Sequence, residues 1–310
     1  MLCLNSIEIN FPEKRLHIGE DFEELGINHL QSRVYNRLYG FSQCPVADGA
    51  ENSLLINAIK TLIQSHSIDT DKITYLMHAH TGPYIGPHCD NVLRQASREL
   101  GLTRAQLFGT QLNKCVSVIS AFDMMDKLLQ GQAKGAQAIV LIGEVANSKE
   151  LRVLDSAIVG DVGLAVLVNK NGMRNKILAH CIEVHDAYAK GIWMEPGSEL
   201  SRQYDHNYQK NLLSLINRVL DEAQISLQEI KLILPHNVNI QIWKKAIPVL
   251  GIPEERVYLK NISKYAHCFG ADILINYFSA INDGAIEKGD VCLLVTVGVG
   301  GVFGACIIQH

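Results

Sequence analysis

The sequence predicts a duplicated α/β fold in five layers, α-β-α-β-α. Three observations carry this expectation. Residues 54–79 and 212–236 share one pattern: an amphipathic helix, a polar turn and a short apolar strand. In that pattern Ile68 and Ile73 are matched by Ile225 and Ile230, an offset of 157 (225 − 68). Residues 115–143 and 268–298 share a second pattern. Each opens on a cysteine, runs through helical spacing, breaks at a glycine and enters an apolar run. Cys115 and Cys268 lie 153 apart (268 − 115), and Gly135 and Gly289 lie 154 apart (289 − 135). Near-constant spacing of a whole supersecondary unit is the mark of duplication. Third, the runs AIVLIG and VCLLVTVG are apolar without alternation, which suits strands covered on both faces by helices. Helices alternating with such strands predict mostly parallel pairing.

The elements follow in order. The segment 54–65 is helical by its apolar spacing and 73–79 is a strand. LFGTQLNK is extended and turn-like, and the residues after Cys115 return to helical spacing. AIVLIG is the next strand. GLAVLVNK is a strand and NGMRNK a turn, which together form the junction between a half at 1–170 and a half at 171–310. The second half repeats the course: a helix at 212–223, a strand ending at His236, a helix after Cys268, the strand VCLLVTVG and a glycine-rich turn.

The chain has 310 residues, 47% apolar and 19% charged, an ordinary globular balance that excludes a disordered chain. Its formal net charge is 28 − 32 = −4, which argues against nucleic-acid binding. No apolar run approaches the ~18 residues of a membrane span, and MLCLNSIEINFPEKR lacks a secretory pattern. Eight cysteines are scattered without a CxxC pair. They predict a reducing, cytoplasmic setting with neither a disulfide framework nor a metal site.

Cys115 is the first residue with chemistry. Its context, a turn followed by a helix, places it near unpaired N–H groups and the positive end of the helix dipole, which favour a thiolate nucleophile. His236 follows an apolar strand in LILPHNVN, where α/β proteins set their functional residues; a neutral imidazole there can move a proton. His267 stands beside Cys268, in the second-copy position matching Cys115, so the duplication brings it toward the thiol. TVGVGGVFGA places four glycines between Gly298 and Gly304, a turn whose N–H groups can approach an oxyanion. The turn is not followed by a helix, so no dinucleotide site is read there. His78, His80 and His88 lie close in MHAHTGPYIGPH but lack a matching acidic or cysteine ligand, so a loop is the reading. VGDVGLAV reads as a structural turn, and Arg33, Arg37 and Lys60 as scattered surface charge.

These motifs, taken in order, resemble 3-oxoacyl-[acyl-carrier-protein] synthase III and its relatives in the thiolase-like superfamily. NKCVSVISAFDMM resembles the nucleophile motif, Gly160 to Leu164 the Gly-Asp-Gly turn, His236-Asn237-Val238-Asn239 the histidine motif, and Tyr265 to Phe269 the segment bearing the third catalytic residue. GVGGVFGA resembles the family's last turn. The resemblance implies a duplicated thiolase-like fold, a homodimer, acyl-thioester substrates from an acyl carrier protein or acyl-CoA, and no cofactor or metal. It implies Cys115, His236 and His267 as catalytic residues, with the first in the N-terminal half and both imidazoles in the C-terminal half. It also implies an oxyanion hole from the N–H groups of Cys115 and Val299, and substrate contacts from Asn239, Gly298, Gly300 and Gly301. The reaction implied is acyl transfer to Cys115 and then decarboxylative condensation with a malonyl-type extender. The alternatives are transfer to an alcohol, amine or thiol, and an inactive partner subunit. Three departures stand out. His267 replaces the family's usual Asn, as in the elongating ketosynthases. SRVYNRLYGF lacks the tryptophan that stacks on coenzyme A, and Gln241 replaces an arginine. The last two point to a carrier-protein thioester and to specialised metabolism.

Overall fold

The computed structural model describes residues 1–48, 51–82 and 91–310. Nine strands form one mixed sheet: β1 (Cys3–Asn10), β2 (Ile73–Ala79), β3 (Gln106–Thr110), β4 (Gln137–Ile142), β5 (Gly163–Asn169), β6 (Lys176–Val184), β7 (Ile230–Pro235), β8 (Val291–Gly298) and β9 (Val302–Gln309). The principal helices are α1 (Glu51–Ser65), α2 (Val92–Glu99), α3 (Ser117–Gln130), α4 (Glu199–Ala223), α5 (Ile240–Leu250) and α6 (Asp272–Asn282). None among the described residues is long and apolar enough to cross a membrane.

The strand order is β7-β8-β9-β6-β1-β5-β4-β2-β3. From its centre outward, β1-β5-β4-β2-β3 and β6-β9-β8-β7 run the same course. Val257, bridged in parallel to Ile233 of β7, stands where β3 stands in the first half. The halves join at one pair, Cys3 with Lys176. α3 packs against β2, β4 and β5 of one half and against β6 and β9 of the other, while α6 packs on β7 and β8. α1 covers the far side of β1 and β5, and α4 that of β6 and β9. These are the five expected layers of a duplicated α/β fold.

Strand alternation explains the unbroken apolar runs. Ala138, Val140 and Ile142 of β4 enter the middle core, whereas Ile139 and Leu141 enter the core under α1. In β8, Cys292 and Leu294 face the middle, and Leu293 and Val295 face the core under α4. Each buried Leu, Ile or Val contributes about 1.5–3 kcal/mol, so both faces of these strands demand apolar residues. α3 and α6 lie between the half-sheets; α6 is buried along most of its length, whereas α3 keeps Asp123, Asp126 and Lys127 on an open side.

Two expectations are corrected. Pairing is not mostly parallel: β2 runs parallel to β3 and β4, and β7 to β8, but β1·β5, β4·β5, β6·β9 and β8·β9 are antiparallel. β8 returns into β9 through Val299, Gly300 and Gly301 alone, too short for the crossover that a parallel pair requires. Gly300 and Gly301 take φ values of +96° and +76°, which a Cβ disfavours. The second correction concerns the alignment of the copies. Lys114 and Phe269 share φ +54°, each begins or precedes a 3₁₀ turn, and the helices that follow start at Ser117 and Asp272. That offset is 155 (272 − 117), so Cys115 is matched by Gly270 and neither by Cys268 nor by His267. The matched turns touch: a Cβ on Gly270 would lie 2.8 Å from the Cys115 carbonyl oxygen.

VGDVGLAV is structural, as expected. Asp161 has no solvent exposure; its carboxylate accepts from both terminal nitrogens of Arg152 at 2.7 and 2.8 Å and from the N–H groups of Ala47 and Ala146. Removing the guanidinium strands that charge, a loss of about 3–5 kcal/mol. Arg152→Met should therefore lower unfolding stability by about that amount in urea titrations; a change below about 1 kcal/mol would show that the pair is dispensable.

Candidate active site

Cys115 is the central residue of a 3₁₀ turn, Lys114–Val116, that runs into α3. It is buried, and the left-handed Lys114 before it stores roughly 1–3 kcal/mol of backbone strain. The Cys115 sulfur lies 3.6 Å from Nε2 of His267 and 3.6 Å from the Thr81 hydroxyl.

His267 is set by the first half of the chain as much as by the second. Its N–H donates to the Ile158 carbonyl and its own carbonyl accepts from Gly160 N–H, both at 2.9 Å. The preceding Ala266 has φ +56°, a second positive-φ residue directly before a side chain of the cleft. On its far side His267 Nδ1 meets a carboxylate oxygen of Asp272 at 2.6 Å. Asp272 is fully buried and also accepts from Asn237 N–H at 2.6 Å and Cys268 N–H at 2.7 Å. Burial opposes a charge on His267, but the Asp272 carboxylate and the Cys115 sulfur outweigh it and raise its pKa.

His236 follows the last residue of β7 and its N–H donates to Val295 of β8 at 2.9 Å. Its ring centre lies 6.5 Å from that of His267, and its Nε2 lies 3.5 Å from the Tyr208 hydroxyl. Burial, and then repulsion by His267, push its pKa down to about 3. The two imidazoles are thus driven in opposite directions, His267 toward the cation and His236 toward the neutral base.

Cys115, His236 and His267 open onto one cleft of about 730 Å³, also lined by Asn239, Gly298, Val299 and Gly300. Glycine is required at 298: a Cβ there would lie 2.7 Å from the Asn113 carbonyl and 3.4 Å from the Cys115 nitrogen. Of the predicted substrate contacts, Gly301 is the exception. It lies outside the cleft lining and packs on His185 and Tyr188, because the hairpin turn carries it past the rim. Asn239 lines the cleft but is engaged by the protein: its side chain caps α5 by accepting from Ile242 N–H and donates to the Ser156 carbonyl at 2.9 Å.

Sequence reasoning missed Asp272, Thr81 and Tyr208. Asp272 had a signal, an acidic residue opening an otherwise apolar helix in GADILIN. Tyr208 had none, since it sits in a long polar helix of the second half. His78 and His80 stack 4.6 Å apart and contact the carbonyl oxygens of Gly143 and Gly82. No group of metal-ligating side chains occurs among the described residues. His88 and Cys89 lie outside the described residues, as do the other positions of 83–90.

Residues 220–310 match the model for the C-terminal part of 3-oxoacyl-[acyl-carrier-protein] synthase III. The beta-ketoacyl-[acyl-carrier-protein] synthase III of Aquifex aeolicus is 28% identical over 207 residues, 63% of this chain and 64% of that protein. The solved structure of the synthase III from Aquifex aeolicus superimposes with a TM-score of 0.81, 20% identity and full coverage of both chains. The synthase III of Clostridium perfringens is 24% identical over 286 residues, 84% of this chain and 85% of that protein. A solved structure titled ChlB3, an acyltransferase, superimposes with a TM-score of 0.87 at 15% identity, covering 99% of this chain and 97% of that one. A cysteine and two histidines thus gather in one cleft of a duplicated fold shared with the solved synthase III structures, and the chain is similar to 3-oxoacyl-[acyl-carrier-protein] synthase III.

Proposed function

We propose that the enzyme takes an acyl group from a carrier-protein or coenzyme A thioester onto Cys115 and passes it to an alcohol, amine or thiol without decarboxylation. The observation that carries this reading is the chain Cys115–His267–Asp272, 3.6 Å and then 2.6 Å long, inside the cleft. In the first half-reaction a bond forms between the sulfur and the donor carbonyl carbon. The carbonyl becomes an oxyanion, held by the N–H groups of Cys115 and Val299. As it collapses the donor's C–S bond breaks, and the departing thiolate takes the proton that Cys115 gave to His267. In the second, the acceptor loses its proton to neutral His236, bonds to the acyl carbon and expels the Cys115 sulfur, to which the proton returns. Residues 1–170 thus supply the nucleophile and 171–310 the proton-handling groups. Asn239, Gly298 and Gly300 shape the substrate's path.

Two features favour transfer over condensation. A neutral His236 opposite a cationic His267 is an acid–base pair rather than two equal donors for one carbonyl oxygen. The cleft lining also carries Glu150, Asp155 and Asp205 against Lys245, a poor match for a carboxylated extender. Decarboxylative condensation is the second reading, and the synthase III relatives favour it. A cytoplasmic homodimer fits either: β3 ends the sheet, where a second copy of the chain can pair.

Incubation with an octanoyl thioester should add one octanoyl group to the intact mass; an unlabelled wild type, or a Cys115→Ala variant that still gains the group, would overturn the assignment of the nucleophile. Malonyl thioester carrying a labelled free carboxyl should release no labelled carbon dioxide; release coupled to product establishes the condensing reading instead. Asp272→Asn removes the charge that raises His267. The cationic form then disappears at lower pH, so the alkaline limb of the acylation profile should shift toward acid and the rate at pH 8 fall by about 10²-fold. An unmoved limb would mean that Asp272 does not act through His267.

A further inference from the structure

Tyr208 is a polar group of the cleft, next to His236, to which the reaction as described gives no task. It sits on α4, and its ring is fixed in an aromatic row: 5.8 Å from Tyr204, which is 5.0 Å from Tyr188, and 5.4 Å from Phe303 of β9. Its hydroxyl is 3.5 Å from Nε2 of His236 and has no other hydrogen-bond partner among the described residues. Tyr208 is half-buried in the cleft wall, and this is the one side-chain contact open to its hydroxyl among the described residues.

The state of the partner decides the direction of the bond. His236 faces Tyr208 of α4 and His267 of the segment before α6, and His267 in turn contacts Cys115 and Asp272. Burial above all, with repulsion from the His267 side, keeps His236 neutral, so one of its nitrogens carries a hydrogen and the other a lone pair. Nδ1 is buried and makes no well-formed hydrogen bond, although the Val295 carbonyl is near enough to favour a proton on the ring. Burial holds the Tyr208 phenol protonated, which keeps it able to donate. The consistent assignment is Nδ1–H directed at the strand side and an Nε2 lone pair receiving the Tyr208 O–H.

We propose that Tyr208 is a positioning residue for His236: its hydroxyl donates to Nε2, fixes the Nδ1–H tautomer and so sets His236 to accept the proton of the incoming nucleophile. The proposal rests on the acyl-transfer reading and concerns only its second half. When the acceptor arrives, its N–H or O–H replaces or joins the Tyr208 hydroxyl at the same lone pair. The acceptor–carbon bond forms, the C–S bond to Cys115 breaks, and the proton moves from the acceptor to Nε2 and on to the sulfur. A histidine with Nε2–H instead would be a donor and would meet the acceptor with the wrong polarity.

The test compares wild type, Tyr208→Phe, His236→Ala and the double variant. Octanoyl-N-acetylcysteamine serves as donor and ethanolamine, which offers an amine and an alcohol, as acceptor. Acylation of Cys115 in Tyr208→Phe should stay within about twofold of wild type, while the rate constant for release to ethanolamine should fall about tenfold or more with little change in KM. In the His236→Ala background the Tyr208→Phe change should cost nothing further. Nitrogen-15 NMR of labelled histidine should show Nε2 of His236 unprotonated in wild type and the tautomers mixed in Tyr208→Phe. Equal release rates, additive losses in the double variant, or an Nε2–H tautomer in wild type would each overturn the proposal. The NMR result stands whether or not the protein turns over. Failure of Cys115 to acylate at all counts against the acyl-transfer reading and not against the tyrosine.

Discussion

Asp272 carries a negative charge to a place water does not reach, and its neighbours answer it. His267 Nδ1 and the Asn237 N–H share one oxygen, and the Cys268 N–H donates to the other. An unpaired carboxylate there would cost several kcal/mol, so the three partners are held at fixed positions. One of them is the imidazole beside the Cys115 sulfur. Another is the residue after His236. The same charge therefore sets the orientation of one imidazole and the backbone of the other.

Duplication supplies the frame in which this works. The turns that open α3 and α6 share a left-handed residue and pack against each other through Gly270. The first-half turn carries the thiol, and its counterpart has no side chain at the matching position, leaving room for the Cys115 backbone. His267 enters from just before that counterpart turn, clamped by Ile158 and Gly160 of the first half. The site thus arises from an asymmetry between two similar halves. One keeps Cys115 at its turn; the other gives that place to glycine and brings His236 and His267 to the cleft from neighbouring segments.

The two imidazoles illustrate how position outweighs residue type. Both are buried, 6.5 Å apart, and would titrate alike in water. One touches a carboxylate and gains a proton more readily. The other touches a phenol and strand backbone, feels the first one's charge and stays neutral.

Much was legible in the sequence because it follows from local pattern. AIVLIG and VCLLVTVG required strands covered on both sides, since no other arrangement buries consecutive apolar side chains of alternating direction. The turn-then-helix context of Cys115 and the strand-then-turn context of His236 marked both as candidates. The Gly298–Gly301 run announced a turn, though not that Gly301 would pass beyond the rim. Strand direction was not legible, because apolar runs carry no polarity and the hairpin at 299–301 decides it. The sequence by itself determined the layers, the repeat and the cysteine and histidines that meet in the cleft. Only the tertiary structure decided the pairing of Asp272 with His267 and of Tyr208 with His236. Those partnerships bring together separate elements, and the charge or tautomer of a buried side chain depends on what stands beside it in space.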